Sequence, residues 1–174
     1  KDRDGMLALA RRLREGEGLD AVFTAGTDFS TTVSHVCERL GLPGVPHAAA
    51  ERATDKHLMR NALRAAGVPC PAYAEFDGRG DPAEAAKRLR PPLVVKPVDN
   101  MGSRAVRRVE AVEALTDACR DALAVSRSGR AVIEEYMDGP ELSLDAIVWR
   151  GEVSICGVAD RITHISTGGG ASLE

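Results

Sequence analysis

The segment Leu93-Val94-Val95-Lys96-Pro97-Val98-Asp99-Asn100-Met101-Gly102-Ser103-Arg104-Ala105-Val106 leaves this chain few folding choices. A short apolar run rich in valine reads as a buried strand, and Lys96 sits at its end. A Gly/Ser turn with Arg104 follows, and a second strand is predicted from Ala105. A polyphosphate carries several negative charges, so a site for one needs a point cation and N–H dipoles that can approach closely. Lys96 and the loop from Pro97 to Arg104 supply both kinds of group. The same pattern also describes an ordinary hairpin with Lys96 and Arg104 in solvent. It is not a Walker loop, because the lysine precedes the glycine and no Gly-Lys-Ser/Thr opens a helix.

Upstream, Met6, Leu7, Leu9, Ala10 and Leu13 recur at helical spacing as far as Gly16. Ala21-Val22-Phe23 is predicted as a strand. Asp28 is predicted to cap a helix whose stripe Val33, Val36, Cys37 and Leu40 ends at Gly41. Helix, strand and helix suggest the end of a parallel, doubly wound unit. A third helix, Asp55 to Ala66, is predicted with Thr54 as its cap and Gly67 and Pro69 beyond it.

Residues 72–76 alternate as a strand, and Asp81 and Pro82 open a short helix. Val112, Leu115, Ala118, Cys119 and Ala122 mark an amphipathic helix over 111–125. Strands are predicted at 132–137, 142–149 and 153–158, the last two as a hairpin around Arg150-Gly151-Glu152.

Composition narrows the function. Twenty-three basic and 26 acidic residues give a formal charge of −3 with no basic stripe, which argues against nucleic acid as the partner. Aromatics are 3% of the chain, so the core must be aliphatic. Cys37, Cys70, Cys119 and Cys156 are widely spaced, and neither they nor His35, His47, His57 and His164 show metal-ligand or nucleophile–base spacing. The cysteines read as reduced thiols. No apolar run approaches the roughly 20 residues of a membrane span, and no signal-peptide core follows the charged start, so a cytoplasmic location is expected. The chain opens on Lys1 rather than Met, and an upstream segment is expected.

Three further segments combine with the lysine strand. Thr54-Asp55-Lys56-His57-Leu58-Met59-Arg60 leads to Ala65-Ala66-Gly67-Val68-Pro69-Cys70-Pro71, and Val132-Ile133-Glu134-Glu135-Tyr136-Met137 leads to Gly139-Pro140-Glu141-Leu142-Ser143. In order and spacing the chain resembles the ATP-grasp superfamily, which includes the carbamoyl-phosphate synthase large subunit, biotin carboxylase and related carboxylate–amine ligases. The resemblance implies an α/β (α+β) fold in three parts. Residues 1–50 would end a Rossmann-like pre-ATP-grasp domain, 51–138 would form the ATP-grasp N-lobe or lid, and 139–174 would begin an incomplete C-lobe.

It also implies roles. Lys56 and Lys96 would contact the phosphates of ATP, and the loop Asp99, Asn100, Met101, Gly102, Ser103 and Arg104 would close over them. The backbone at Glu134 and Met137 would read the adenine edge, Glu135 and Tyr136 would border it, and Glu141 would hold the ribose hydroxyls. Each has a plainer alternative: Lys56 as solvated helix surface, Tyr136 and Met137 as core, Glu141 as a strand start. Glu134 and Glu135 alternate to opposite faces, so one of them reads as an exposed charge. Ala105 stands where many relatives have glycine, which should stiffen the loop.

The reaction implied is phosphorylation of a small carboxylate or carbonate by ATP and Mg2+, followed by attack of an amine or ammonia on the acyl phosphate. No residue of this chain is assigned as catalytic or as a metal ligand; the magnesium ligands are expected in a further C-terminal segment. A homodimer or an ammonia-delivering subunit is compatible with this reading. Thr163 to Glu174 instead resembles the glycine-rich C-terminal motif of phosphoglycerate kinase, which leaves a kinase-like transferase open. A non-catalytic nucleotide-binding module is the other alternative.

Overall fold

The computed structural model describes residues 2–25, 29–165 and 171–173 of the 174-residue chain. Helix α1, Arg3–Gly16, starts at Asp2, whose carboxylate accepts from the Gly5 N–H at 2.7 Å. Its buried Leu7 and Ala10 pack against Val36 of α2, Ser30–Leu40, with Leu19, Val22 and Leu40 filling the edges. Gly41 ends α2 at φ 63°, the left-handed conformation that glycine reaches without a Cβ penalty.

Ala21-Val22-Phe23 does not form a strand, and Phe23 is 85% exposed. A parallel strand needs neighbours to take its backbone hydrogen bonds, and no described strand lies beside this segment. Thr54 is not a cap but the last residue of α3, His47–Thr54, where its hydroxyl donates to the Ala50 carbonyl at 2.8 Å. Asp55 caps α4, Lys56–Ala65, accepting from the N–H groups of His57 and Leu58 at 2.9 and 3.0 Å. The expected cap Asp28 and the Ser166 to Gly170 part of the tail lie outside the described residues.

The central sheet has the order β1-β4-β2-β3, antiparallel throughout. Its strands are Tyr73–Phe76 (β1), Ala131–Glu135 (β4), Leu93–Pro97 (β2) and Arg107–Val109 (β3). The short helix α5, Pro82–Ala85, capped by Asp81 as expected, and α6, Leu115–Val125, cover one face. That face is aliphatic: Leu93, Val95, Val109 and Ile133 meet Leu115, Ala118, Cys119 and Ala122. Burial there pushes the Cys119 thiol up to about 11, so it stays protonated and unreactive. β3 begins at Arg107 rather than Ala105, because Ser103 and Ala105 adopt φ of 54° and 53°, values that no strand accommodates.

Beyond Tyr136 the chain forms a long antiparallel ribbon, β5 Glu141–Trp149 and β6 Glu152–Arg161, with one register shift at Asp145/Ala146. Every residue of both strands is exposed, Trp149 and Ile155 included, and no described element covers either face. Short strands β7, Thr163–Ile165, and β8, Ala171–Leu173, pair with each other. The mixed helix and sheet class is as expected, with antiparallel pairing in every described sheet.

Candidate functional site

The second face of the central sheet is polar, although helix α4 lies against its β1 edge. Residues opposite one another in an antiparallel register share a face. Tyr73, Glu134, Val94 and Arg108 therefore line up across the four strands on this side, with Glu75, Val132 and Lys96 one pleat along. Helix α4 answers with His57, Arg60 and Asn61, which recur at helical spacing on its sheet-facing side. Asn61 accepts from the Tyr73 hydroxyl at 2.8 Å, and His57 pairs with Glu75.

Glu134 is the hub. It is only 4% exposed, and its two oxygens take a forked pair of bonds from Arg60, at 2.8 and 3.1 Å, and a third from the Lys96 ammonium at 2.6 Å. Burial pushes its carboxyl up, but the Arg60 hydrogen bond and the Lys96 charge outweigh that and hold it below the ordinary 4.5. Its backbone lies inside the ladder, opposite Tyr73 of β1 on one side and Val94 of β2 on the other. Met137, 67% exposed, lies past the last bond of the ladder region, Tyr136 N–H to the Pro92 carbonyl at 2.9 Å.

Glu135 faces the opposite way, as alternation requires, and accepts from the Arg90 N–H at 2.9 Å and, more weakly, from its side chain. Those Arg90 bonds lower its pKa. The Tyr136 ring is covered by the Arg108 guanidinium at 4.1 Å, a cation–π contact. Glu141 opens β5 in an exposed position.

Lys56 reaches the site from the first turn of α4. Its N–H donates to the Val98 carbonyl at 2.8 Å and its ammonium to the Asn100 carbonyl at 2.6 Å, fastening the helix to the chain that leaves β2. Burial first, and the Lys96 charge second, lower its pKa from 10.5. Two ammonium groups thus crowd one region, an arrangement that an incoming polyanion would relieve.

The loop divides into an anchored and a turning half. Asp99 accepts from the Ser126 hydroxyl and the N–H groups of Arg127 and Ser128 at 3.0, 3.1 and 2.8 Å, and the Asn100 amide donates to the Val125 carbonyl at 3.1 Å. Burial raises the Asp99 pKa, but these bonds prevail and lower it. Its carboxylate is thus spent on holding the base of the loop, a role the motif alone does not reveal. Met101 to Arg104 make the turn, with Gly102 at φ 69° and no atom within 4 Å of where a Cβ would sit. Gly102 and Arg104 are exposed.

Sequence reading missed Arg60, Arg130 and Arg108. Arg60 follows Lys56 by one helical turn, and that i, i+4 spacing is the signal that would have found it. Arg130 bonds both Asp55 and Glu75, contacts that no spacing could have announced.

A strand-borne lysine, a helix-borne lysine and a glycine turn come together where the chain leaves β2. The chain belongs to the ATP-grasp domain family, whose pattern it matches over residues 53–169. It is 30% identical over 141 residues to the uncharacterized protein y4rH of Sinorhizobium fredii, covering 79% of this chain and 30% of that protein. Among solved structures it is similar to the L-amino acid ligase of Bacillus licheniformis, with a TM-score of 0.76 and 25% identity over 92% of this chain and 37% of that one. The D-alanine-D-alanine ligase of Coxiella burnetii shares the fold, with a TM-score of 0.68 and 23% identity over 85% of this chain and 47% of the ligase. The chain thus spans about a third of the length of the first relatives it matches.

Proposed function

We propose that the whole protein is an ATP-dependent carboxylate–amine ligase and that this chain supplies its triphosphate grip. ATP transfers its terminal phosphoryl group to a substrate carboxylate, ADP leaves, and an amine attacks the acyl phosphate to give an amide and inorganic phosphate. The observation that carries this reading is the convergence of Lys56 and Lys96 beside a glycine turn, with Lys96 held on a buried carboxylate rather than in solvent. Likeness to an L-amino acid ligase favours an amino acid as the carboxylate donor. Carbonate and ammonia, the carbamoyl-phosphate route, use the same acyl-phosphate chemistry and are the finer alternative.

In this reading Lys56 and Lys96 stabilise charge on the phosphates electrostatically and move no proton. The turn from Met101 to Arg104 closes over them. Met137 and Tyr136 flank the base, Glu134 and Glu135 stand on either side of the strand beneath it, and Glu141 meets the ribose. Magnesium would accompany the triphosphate, but the described residues contain no group of three or more His, Cys, Asp or Glu suited to a metal, and no step is routed through it here.

Calorimetry of ATP binding to the full-length protein and to Lys96→Ala tests the assignment. A loss of about 1–3 kcal/mol in the variant is expected for a charge-assisted contact. Equal affinities would remove Lys96 from the site.

A further inference from the structure

The Lys96 ammonium donates to Glu134 in the structure, so its movement onto a phosphate draws on that bond. The lysine lies 2.6 Å from Oε2 of a carboxylate that is 4% exposed, so its transfer to another anion would strip a buried charge of one partner. A buried carboxylate left without a cation is strongly unfavourable, and that penalty would oppose ligand binding directly. The same carboxylate, however, holds a second cation. Arg60 from α4 donates Nε to Oε1 and Nη2 to Oε2 in a planar fork, which by itself satisfies both oxygens.

Counting charges shows what the second cation does. With Arg60 present, the cluster of Arg60, Lys96 and Glu134 carries one excess positive charge, and departure of Lys96 leaves a neutral, bidentate pair. Without Arg60, Lys96 and Glu134 form a closed pair and the lysine is retained. Arg60 also sits one turn along the helix whose first residue is Lys56, so the helix that brings one phosphate-binding lysine releases the other.

We propose that Arg60 is a positioning residue of the nucleotide site: it keeps Glu134 charge-compensated so that Lys96 can pass from Glu134 to the incoming phosphate. This rests on the proposed triphosphate grip and adds to it a residue that touches no ligand.

A double-mutant cycle on the full-length protein tests the inference. ATP and adenosine affinities are measured for wild type, Arg60→Met, Glu134→Gln and the double variant. Arg60→Met should weaken ATP by about tenfold or more, the scale of losing one partner of a buried charge pair, and leave adenosine unchanged. In the Glu134→Gln background, where no carboxylate retains Lys96, the same change should cost ATP binding less than about twofold.

A merely structural arginine would weaken both ligands alike and in both backgrounds, and that result would overturn the inference. Should Arg60→Met not fold, Arg60→Lys keeps the charge and loses the fork. It should retain most ATP affinity, and a loss as large as that of Lys96→Ala would also overturn the inference. Absence of ATP binding by the wild type, or equal affinity in Lys96→Ala, would instead remove the grip itself and the inference with it.

Discussion

Asp55 uses one carboxylate oxygen to cap α4 and the other to accept a charge-assisted hydrogen bond from Arg130, which stands immediately before β4. Arg130 in turn bonds Glu75 on β1. One buried side chain therefore fixes the helix that carries Lys56 and Arg60 to the sheet that carries Lys96 and Glu134. The site depends on this joint, because its four charged groups come from both sides of it.

Removing the joint should be measurable as stability. Asp55→Ala loses a helix cap, worth about 1 kcal/mol, and an ion pair of similar size, so denaturant unfolding should show a loss of about 2 kcal/mol. Asp55→Asn keeps a cap acceptor and gives up only the charge, and it should cost about half as much. Equal losses in both variants would assign the whole effect to Arg130.

Lys56 predicts a proton uptake. Burial and the nearby Lys96 charge lower its pKa from 10.5, so the fold disfavours the protonated amine, and folding stability rises with pH between the lowered value and 10.5. A bound triphosphate reverses that preference. ATP binding should take up as much as about one proton at alkaline pH and weaken as pH climbs through the lowered pKa. Calorimetry in two buffers of different ionisation enthalpy measures the uptake, and Lys56→Met should abolish it.

Ala105, at φ 53°, predicts the cost of the loop's shape. The left-handed region is unfavourable for alanine by about 1–2 kcal/mol, whereas glycine adopts it freely but gains entropy in the unfolded chain. Ala105→Gly should therefore raise thermal stability slightly, by about 1 kcal/mol or less. Ala105→Val, β-branched at the same φ, should lower it by more than that gain. Matching melting temperatures for all three proteins would mean that the turn opens without cost.

Much of the fold was legible because its signals are local. The valine run of β2, the 3.6-residue stripe of α6 and the turn at Arg150-Gly151 each declare themselves within a few residues; β2 and the turn fall within one position of expectation, while α6 starts at Leu115, after a 3-10 turn over Val112–Ala114, rather than at 111. Ala21-Val22-Phe23 misled for the same reason. Apolar content is local, but a strand exists only where another strand accepts its hydrogen bonds. Thr54 and Asp55 are adjacent and both able to cap. What decides between them is the end of α3, which claims the threonine hydroxyl for Ala50.

By itself the sequence determined that a lysine would end a buried strand, that a glycine turn would follow, and that Glu134 and Glu135 would face opposite ways. Each of these follows from spacing along one segment and from the two-residue alternation of a strand. Only the tertiary structure decided which of the two glutamates would be buried. Helix α4 lies against that side of the sheet and lowers Arg60 onto Glu134, while Glu135 meets Arg90 at the opposite face. Arg60 and Glu134 are 74 residues apart in sequence, and a charge balance assembled over that separation has no local signature. It exists only when folding brings the helix and the strand together and takes both side chains out of water.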